Sequence, residues 1–193
     1  MEEDHLNTLL ICKQQVLFHF YTYYLDADGL RDFIIFHSQY NLVQERMQSK
    51  ERYFVPHNQS LLDIPKDIVN LFICCYGNTL NRLVFSQSFS ELKSIEIGNE
   101  CFQHVREFVI DGLESLESVK IGEKCFRISE KERDDGICRI TNCPNLRQLE
   151  MGDYSFEDFK SFEISNLNSI QSINFGDWCF QNMEDFSLKG EWK

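Results

Sequence analysis

Leu92-Lys93-Ser94-Ile95-Glu96-Ile97-Gly98, followed by Cys101-Phe102, is the stretch on which the fold turns, because it recurs. Leu116 to Gly122 with Cys125-Phe126, Leu146 to Gly152 with Ser155-Phe156, and Ile170 to Gly176 with Cys179-Phe180 repeat its spacing. The glycines fall at 98, 122, 152 and 176, a period of 24 with one interval of 30. The long interval carries Ser129-Glu-Lys-Glu-Arg-Asp-Asp135, a charged insertion expected on a solvent-exposed loop. A fixed period of this length is the mark of a repeat architecture.

A second alternating segment lies between these copies, at Phe108-Val-Ile110, Cys138-Arg-Ile140, Phe162-Glu-Ile164 and Phe186-Ser-Leu188. Alternation puts successive side chains on opposite faces of a strand. Each 24-residue unit therefore carries two short strands, enough for one coil with a strand on each side. Stacked coils should align Ile73, Ile97, Ile121, Met151 and Phe175 in one interior ladder, and Ile110, Ile140, Ile164 and Leu188 in a facing one. Phe102, Phe126, Phe156 and Phe180 should form a column at a corner, and each Gly after a strand should permit a tight turn. Stepping back one period reaches Ile68-Val-Asn-Leu71-Phe-Ile73, a degenerate first coil whose second strand, near Leu83-Val84-Phe85, is off by about one residue. A short helix from Ile64-Pro65, in the manner of an F-box, is the competing reading of that stretch.

The expectation is a β-rich solenoid of about five coils over residues 58–193, preceded by a helical segment over 1–57. Leu6, Leu9, Leu10, Val16, Leu17, Phe20, Tyr21 and Tyr24 recur at helical spacing, and Leu30, Phe33, Ile34, Tyr40, Leu42, Val43 and Met47 suggest a second helix. The pair reads as a hairpin that caps the solenoid core, with Val55 to Ser60 as the connecting loop.

These segments resemble leucine-rich repeats of the BspA-like, protist-type variety, in which a strand ending in Ile-Gly is followed by a small residue and Phe. Ile97–Phe102, Ile121–Phe126, Asp111–Leu116 and Asn142–Leu146 carry the resemblance, which covers roughly residues 61–190. The Asn that usually follows the strand in better-known leucine-rich repeats is missing. The resemblance implies a recognition scaffold, that is, protein–protein interaction without catalysis.

Composition agrees with a folded chain: 42% hydrophobic and 26% charged residues, with 3 Pro and 9 Gly in 193. A net charge of −12 disfavours nucleic acid and anionic membranes as partners. Met1-Glu2-Glu3-Asp4 lacks the basic start of a secretory signal, and the apolar stretch from Leu9 to Leu25 is broken by Lys13, Gln14, Gln15 and His19. The expectation is a cytoplasmic protein, in which the Asn58-Gln59-Ser60 sequon has no role.

The candidate chemistry is thin. Asp26-Ala-Asp28-Gly29 lacks the ligands of a calcium loop, since Tyr24 and Ile35 stand where carboxylates are needed. No Cys-x-x-Cys pair occurs among the 8 Cys, and no His follows His104, so neither a metal nor a cofactor is expected. Cys101, Cys125 and Cys179 share one repeat position with Ser155 and read as buried, reduced packing groups rather than a Cys101–His104 nucleophile pair. The remaining candidate is the row of outward residues on the first strand of each coil: Ser94 and Glu96, Ser118 and Lys120, Gln148 and Glu150, Ser172 and Asn174. They either pair across strands or present a partner-binding surface for a protein. Two further readings are a subunit of a larger assembly, whose open end beyond Phe186-Ser-Leu188 is covered by a neighbour or by more of a longer chain, and a cell-surface adhesin.

Overall fold

The computed structural model describes residues 51–55, 64–73, 80–128 and 136–190. The strands are β1 (Tyr53–Val55), β2 (Asn70–Ile73), β3 (Arg82–Phe85), β4 (Ser94–Ile97), β5 (Glu107–Asp111), β6 (Ser118–Ile121), β7 (Gly136–Thr141), β8 (Gln148–Met151), β9 (Phe159–Ser165), β10 (Ser172–Phe175) and β11 (Asp185–Lys189). They alternate between two sheets. The front sheet runs β1-β2-β4-β6-β8-β10 and the back sheet β11-β9-β7-β5-β3. All observed strand pairs are parallel. The chain is a parallel β-solenoid of about four turns, counted along the five strand pairs from β2/β3 to β10/β11.

The register follows the repeat. Ile73 pairs with Ile97, Ile97 with Ile121, Ile121 with Met151, and Met151 with Phe175. On the back sheet Ile110, Ile140, Ile164 and Leu188 align in the same way. The interval of 30 leaves this register intact, so residues 129–135, themselves outside the described set, fall between strands. Between the sheets the ladder residues from Ile73 to Met151 and from Ile110 to Ile164 are at most 2% exposed. Each such side chain contributes about 1.5–3 kcal/mol by leaving water. Phe102, Phe126, Phe156 and Phe180 stack with centroids 5.3, 4.5 and 4.9 Å apart.

The first coil is irregular as its sequence suggests. Leu83 pairs with Phe108 and Phe85 with Ile110, a step of 25 rather than 24. Pro65 to Asp67 form a turn and Asn70–Ile73 a strand, so no helix opens at Ile64. β1 adds an unforeseen edge strand next to β2, at a step of 18 residues. The helices read between Leu6 and Met47, and the loop from Pro56 to Ser60, lie outside the described residues.

The corner after each front strand corrects one expectation. Gly122, Gly152 and Gly176 do not have the left-handed backbone that a permissive turn would use; among described glycines only Gly112 and Gly190 have positive φ. These glycines are small because coils touch there. A Cβ on Gly152 would lie 2.6 Å from the Gly122 carbonyl carbon, and one on Gly176 would lie 2.5 Å from the Asp153 nitrogen. The left-handed positions fall instead on Glu100, Lys124, Tyr154 and Trp178, and again on Phe102, Phe126, Phe156 and Phe180, with φ between 54° and 62°. Such a backbone is unfavourable for side-chain-bearing residues. It is offset by hydrogen bonds along the solenoid axis. Glu100, Lys124 and Tyr154 donate their N–H onward, Lys124 to Asp153 O at 2.8 Å, and Phe126, Phe156 and Phe180 donate back, Phe126 to Cys101 O at 3.0 Å.

Candidate functional site

On the outer face of the front sheet, β4, β6, β8 and β10 bring the eight sequence-identified residues into two straight rows. Ser94, Ser118, Gln148 and Ser172 are in register in one row; Glu96, Lys120, Glu150 and Asn174 are in register in the other. Alternation forces this arrangement, because Ile95, Ile97, Val119, Ile121, Leu149 and Met151 occupy the buried face of the same strands. Lys120, Gln148 and Asn174 are exposed, and the other five are half-buried. The structure extends both rows by one coil, through Asn70 and Phe72 on β2. Subtracting the same period of 24 from Ser94 and Glu96 reaches these two positions.

Local bonding along the rows is uneven. Ser94 donates its hydroxyl to Asn70 Oδ1 at 2.6 Å, and the Asn70 amide donates to Glu51 O at 2.7 Å. Burial pushes the Glu96 carboxyl above its ordinary range, the nearby Lys120 ammonium pulls it down, and Glu150 pushes it up again. Lys120 thus stands as one cation between two carboxylates.

The back sheet spends its charges differently. Arg82 meets Glu107 at 2.6 Å, and Glu163 takes both Arg139 at 3.7 Å and Lys189 at 3.5 Å. Lys160 pairs with Glu184 across the same stack. Opposite charges in neighbouring coils pair there, Glu163 serving two cations, and each pair contributes up to about 1 kcal/mol. At its far corner a short amide ladder replaces the one missing from the front: Asn142 donates to Asp111 Oδ1 and Asn166 to Asn142 Oδ1, each at 2.7 Å. The sequence signal for it is Gly or Asn directly after a back strand, at Gly112, Asn142 and Asn166, where the backbone is left-handed.

The thiols form part of the core. Cys101, Cys125, Cys138 and Cys143 are buried thiols, and Cys179 is a half-buried one. Ser155 fills the same column, donating to Gly122 O at 2.7 Å and accepting from the Cys125 N–H at 3.0 Å. Burial pushes the Cys125 and Cys138 thiols well up, Cys143 to about 11 and Cys179 to about 12. Nucleophilic cysteines need the opposite shift. Cys101 is fully buried and His104 exposed, so the two are not arranged as nucleophile and base. Among the described residues no group of three His, Cys, Asp or Glu is placed to hold a metal ion, and no helix is long and apolar enough to cross a membrane.

The last coil differs from all others. Phe175 is 46% exposed, Trp178 56%, Phe186 53% and Leu188 49%. Among the described strands β10 neighbours β8 alone, and β11 neighbours β9 alone. Tyr154 and Trp178, one coil apart on the corner, hold their rings parallel within 9°. Comparison with family models, with curated proteins and with solved structures returns no match for this chain.

Proposed function

We propose that this chain is a non-catalytic recognition solenoid of the leucine-rich-repeat kind, BspA-like in its repeat, that presents the outer face of the front sheet to a protein partner in the cytoplasm. The observation that carries the reading is the pair of in-register rows through Ser94, Ser118, Gln148 and Ser172 and through Glu96, Lys120, Glu150 and Asn174. A polar face built on stacked coils suits an extended contact, as in other solenoids. Its second row sets two carboxylates around one cation, whereas the back sheet joins its charges in ion pairs across coils. An acidic chain of net charge −12 favours a partner with a neutral or basic surface.

The test is an affinity pull-down from the source cell with wild type and with Glu96→Lys/Glu150→Lys. A protein enriched by wild type and lost with the folded variant supports the reading. Retention of the same protein by both moves the contact off the front sheet. A second reading, a subunit whose last coil is covered by a neighbour in a larger assembly, is favoured by the exposure of Phe175, Trp178, Phe186 and Leu188. A stable lone monomer in size exclusion with light scattering would count against an obligate subunit.

A further inference from the structure

We propose that the front sheet is a self-recognition face: the partner it fits is a second copy of this chain, docked face to face about a two-fold axis parallel to the stack, so that each coil meets its own counterpart. This rests on the recognition reading above and names the partner of the same surface.

A third column completes the face. Lys93 and Ser94 both stay at the surface between the buried Leu92 and Ile95, and their N–H groups share one carbonyl, Val69 O, at 2.7 and 3.3 Å. This two-against-one pattern is that of a bulge, and it recurs at Glu117, Arg147 and Gln171 in the coils that follow. A column from Val69 through Lys93 to Gln171 therefore runs beside the row from Phe72 through Glu96 to Asn174, three residues further along each coil.

The two columns complement each other coil by coil. The first coil sets Val69 beside Phe72, both apolar and half-buried. The second carries Lys93 and Glu96, the third Glu117 and Lys120, the fourth Arg147 and Glu150. The sign thus reverses at each step in both columns, and the columns are in antiphase. The fifth coil carries two amides, Gln171 and Asn174. Positions three apart along a strand are about 10 Å apart, too far for a direct pair between side chains that stand off the sheet. Among the described residues no ion pair joins these six charges, whereas the back sheet joins its own across coils. A two-fold axis along the stack exchanges the columns. Lys93 then meets Glu96 of the second copy and Glu96 meets its Lys93, as an isologous contact requires. The same operation sets apolar on apolar in the first coil and amide on amide in the fifth. These columns hold three cations and three carboxylates, so the excess negative charge of the chain lies off the face. Opposite charge set against every charge selects the partner and fixes the register. Five strands about 4.8 Å apart, each with about 16 Å of face, give roughly 400 Å² per copy, half of a standard interface, so the dimer is a weak one.

The test is sedimentation velocity on the full chain from about 10 μM to about 1 mM, the range of a weak dimer. Wild type should shift toward dimer across that range. Glu96→Lys/Glu150→Lys should weaken association about tenfold or more, although it makes the chain less acidic. Lys93→Glu/Arg147→Glu should weaken it as well. An equimolar mixture of the two variants should associate at least as well as wild type, because like charges on one copy then meet opposite charges on the other. Copies docked in the reverse sense would set position 150 of one against Lys120 of the other, and mixing would not rescue them. A wild type that stays monomeric throughout, a dimer that neither variant weakens, or a mixture that fails to associate overturns the inference. Circular dichroism checks folding; if Glu96→Lys/Glu150→Lys unfolds, Glu117→Lys mixed with Lys120→Glu makes the same comparison in the third coil. A monomeric wild type alongside a pull-down partner lost with Glu96→Lys/Glu150→Lys ends this inference and leaves the recognition reading standing. A monomeric wild type with no such partner ends both.

Discussion

A middle coil, β6 with β7, and the last coil, β10 with β11, are built from the same repeat and live in different surroundings. In the middle coil Ile121, Phe126 and Ile140 have a coil above and a coil below and are at most 2% exposed. In the last coil Phe175 and Leu188 have a coil on one side and are close to half exposed. The difference teaches that a repeat position sets direction, inward or outward, whereas burial depends on neighbours. The same inward residue is core in one coil and surface in the next.

The largest effect that would break the comparison is at the phenylalanine column. Phe126→Ala should cost about 3–5 kcal/mol, since its ring touches Phe102, Phe108 and Phe156. Phe186→Ala should cost far less, about 1 kcal/mol, because half of its surface is already in water. Urea unfolding midpoints compare the two, and similar losses would mean that the last coil is covered in solution. Gly152→Ala comes next, at about 1–3 kcal/mol, because its added methyl meets the Gly122 carbonyl carbon and the Glu123 nitrogen. A variant as stable as wild type would show that the coils can move apart at that corner. Ser155→Ala should cost about 1–3 kcal/mol, as it leaves Gly122 O and the Cys125 N–H without their side-chain partner.

The thiols sharpen the comparison through pH. Burial holds Cys143 near 11 and Cys179 near 12, both above an unfolded thiol at about 8.5. A raised folded value means that this contribution to stability is fully present below about pH 8.5 and is lost as pH rises toward 11 and 12. Stability by urea titration should therefore fall above about pH 8.5, and Cys143→Ser/Cys179→Ser should flatten the fall. In native protein a thiol reagent at pH 7 should label Cys179 before Cys101, Cys125 or Cys138, which are fully buried. The smallest effect belongs to Glu96. Its carboxyl is raised by burial, so Glu96→Gln should gain a few tenths of a kcal/mol (about 0.3) near pH 7, a gain that shrinks as acid protonates the wild-type group.

Much of this solenoid was legible because its signal is repeated. Four copies of one spacing fix which residue stands over which, and even the one-residue slip at Leu83 could be read. The two rows of the candidate surface follow from the same arithmetic. Other features had no such signal. β1 has three residues and a step of 18, so the period does not reach it. The left-handed backbone at Lys124, Tyr154, Phe126, Phe156 and Phe180 contradicts residue preference and is accompanied by hydrogen bonds to neighbouring coils. The glycines were visible, but their reason was not, since a close approach between residues 122 and 152 is a fact of stacking rather than of local conformation. The sequence also could not say which back-sheet charges pair, because side-chain reach decides that.

The interval of 30 has a practical consequence for protein engineering. Ile110 still pairs with Ile140 although six more residues separate them than in a regular unit. Lengthening a connection of this kind costs only about 0.6 kcal/mol for each doubling. The stretch between Ile128 and Gly136 is therefore a natural graft point, where an epitope or a fluorescent reporter can be installed while every column of the stack keeps its alignment.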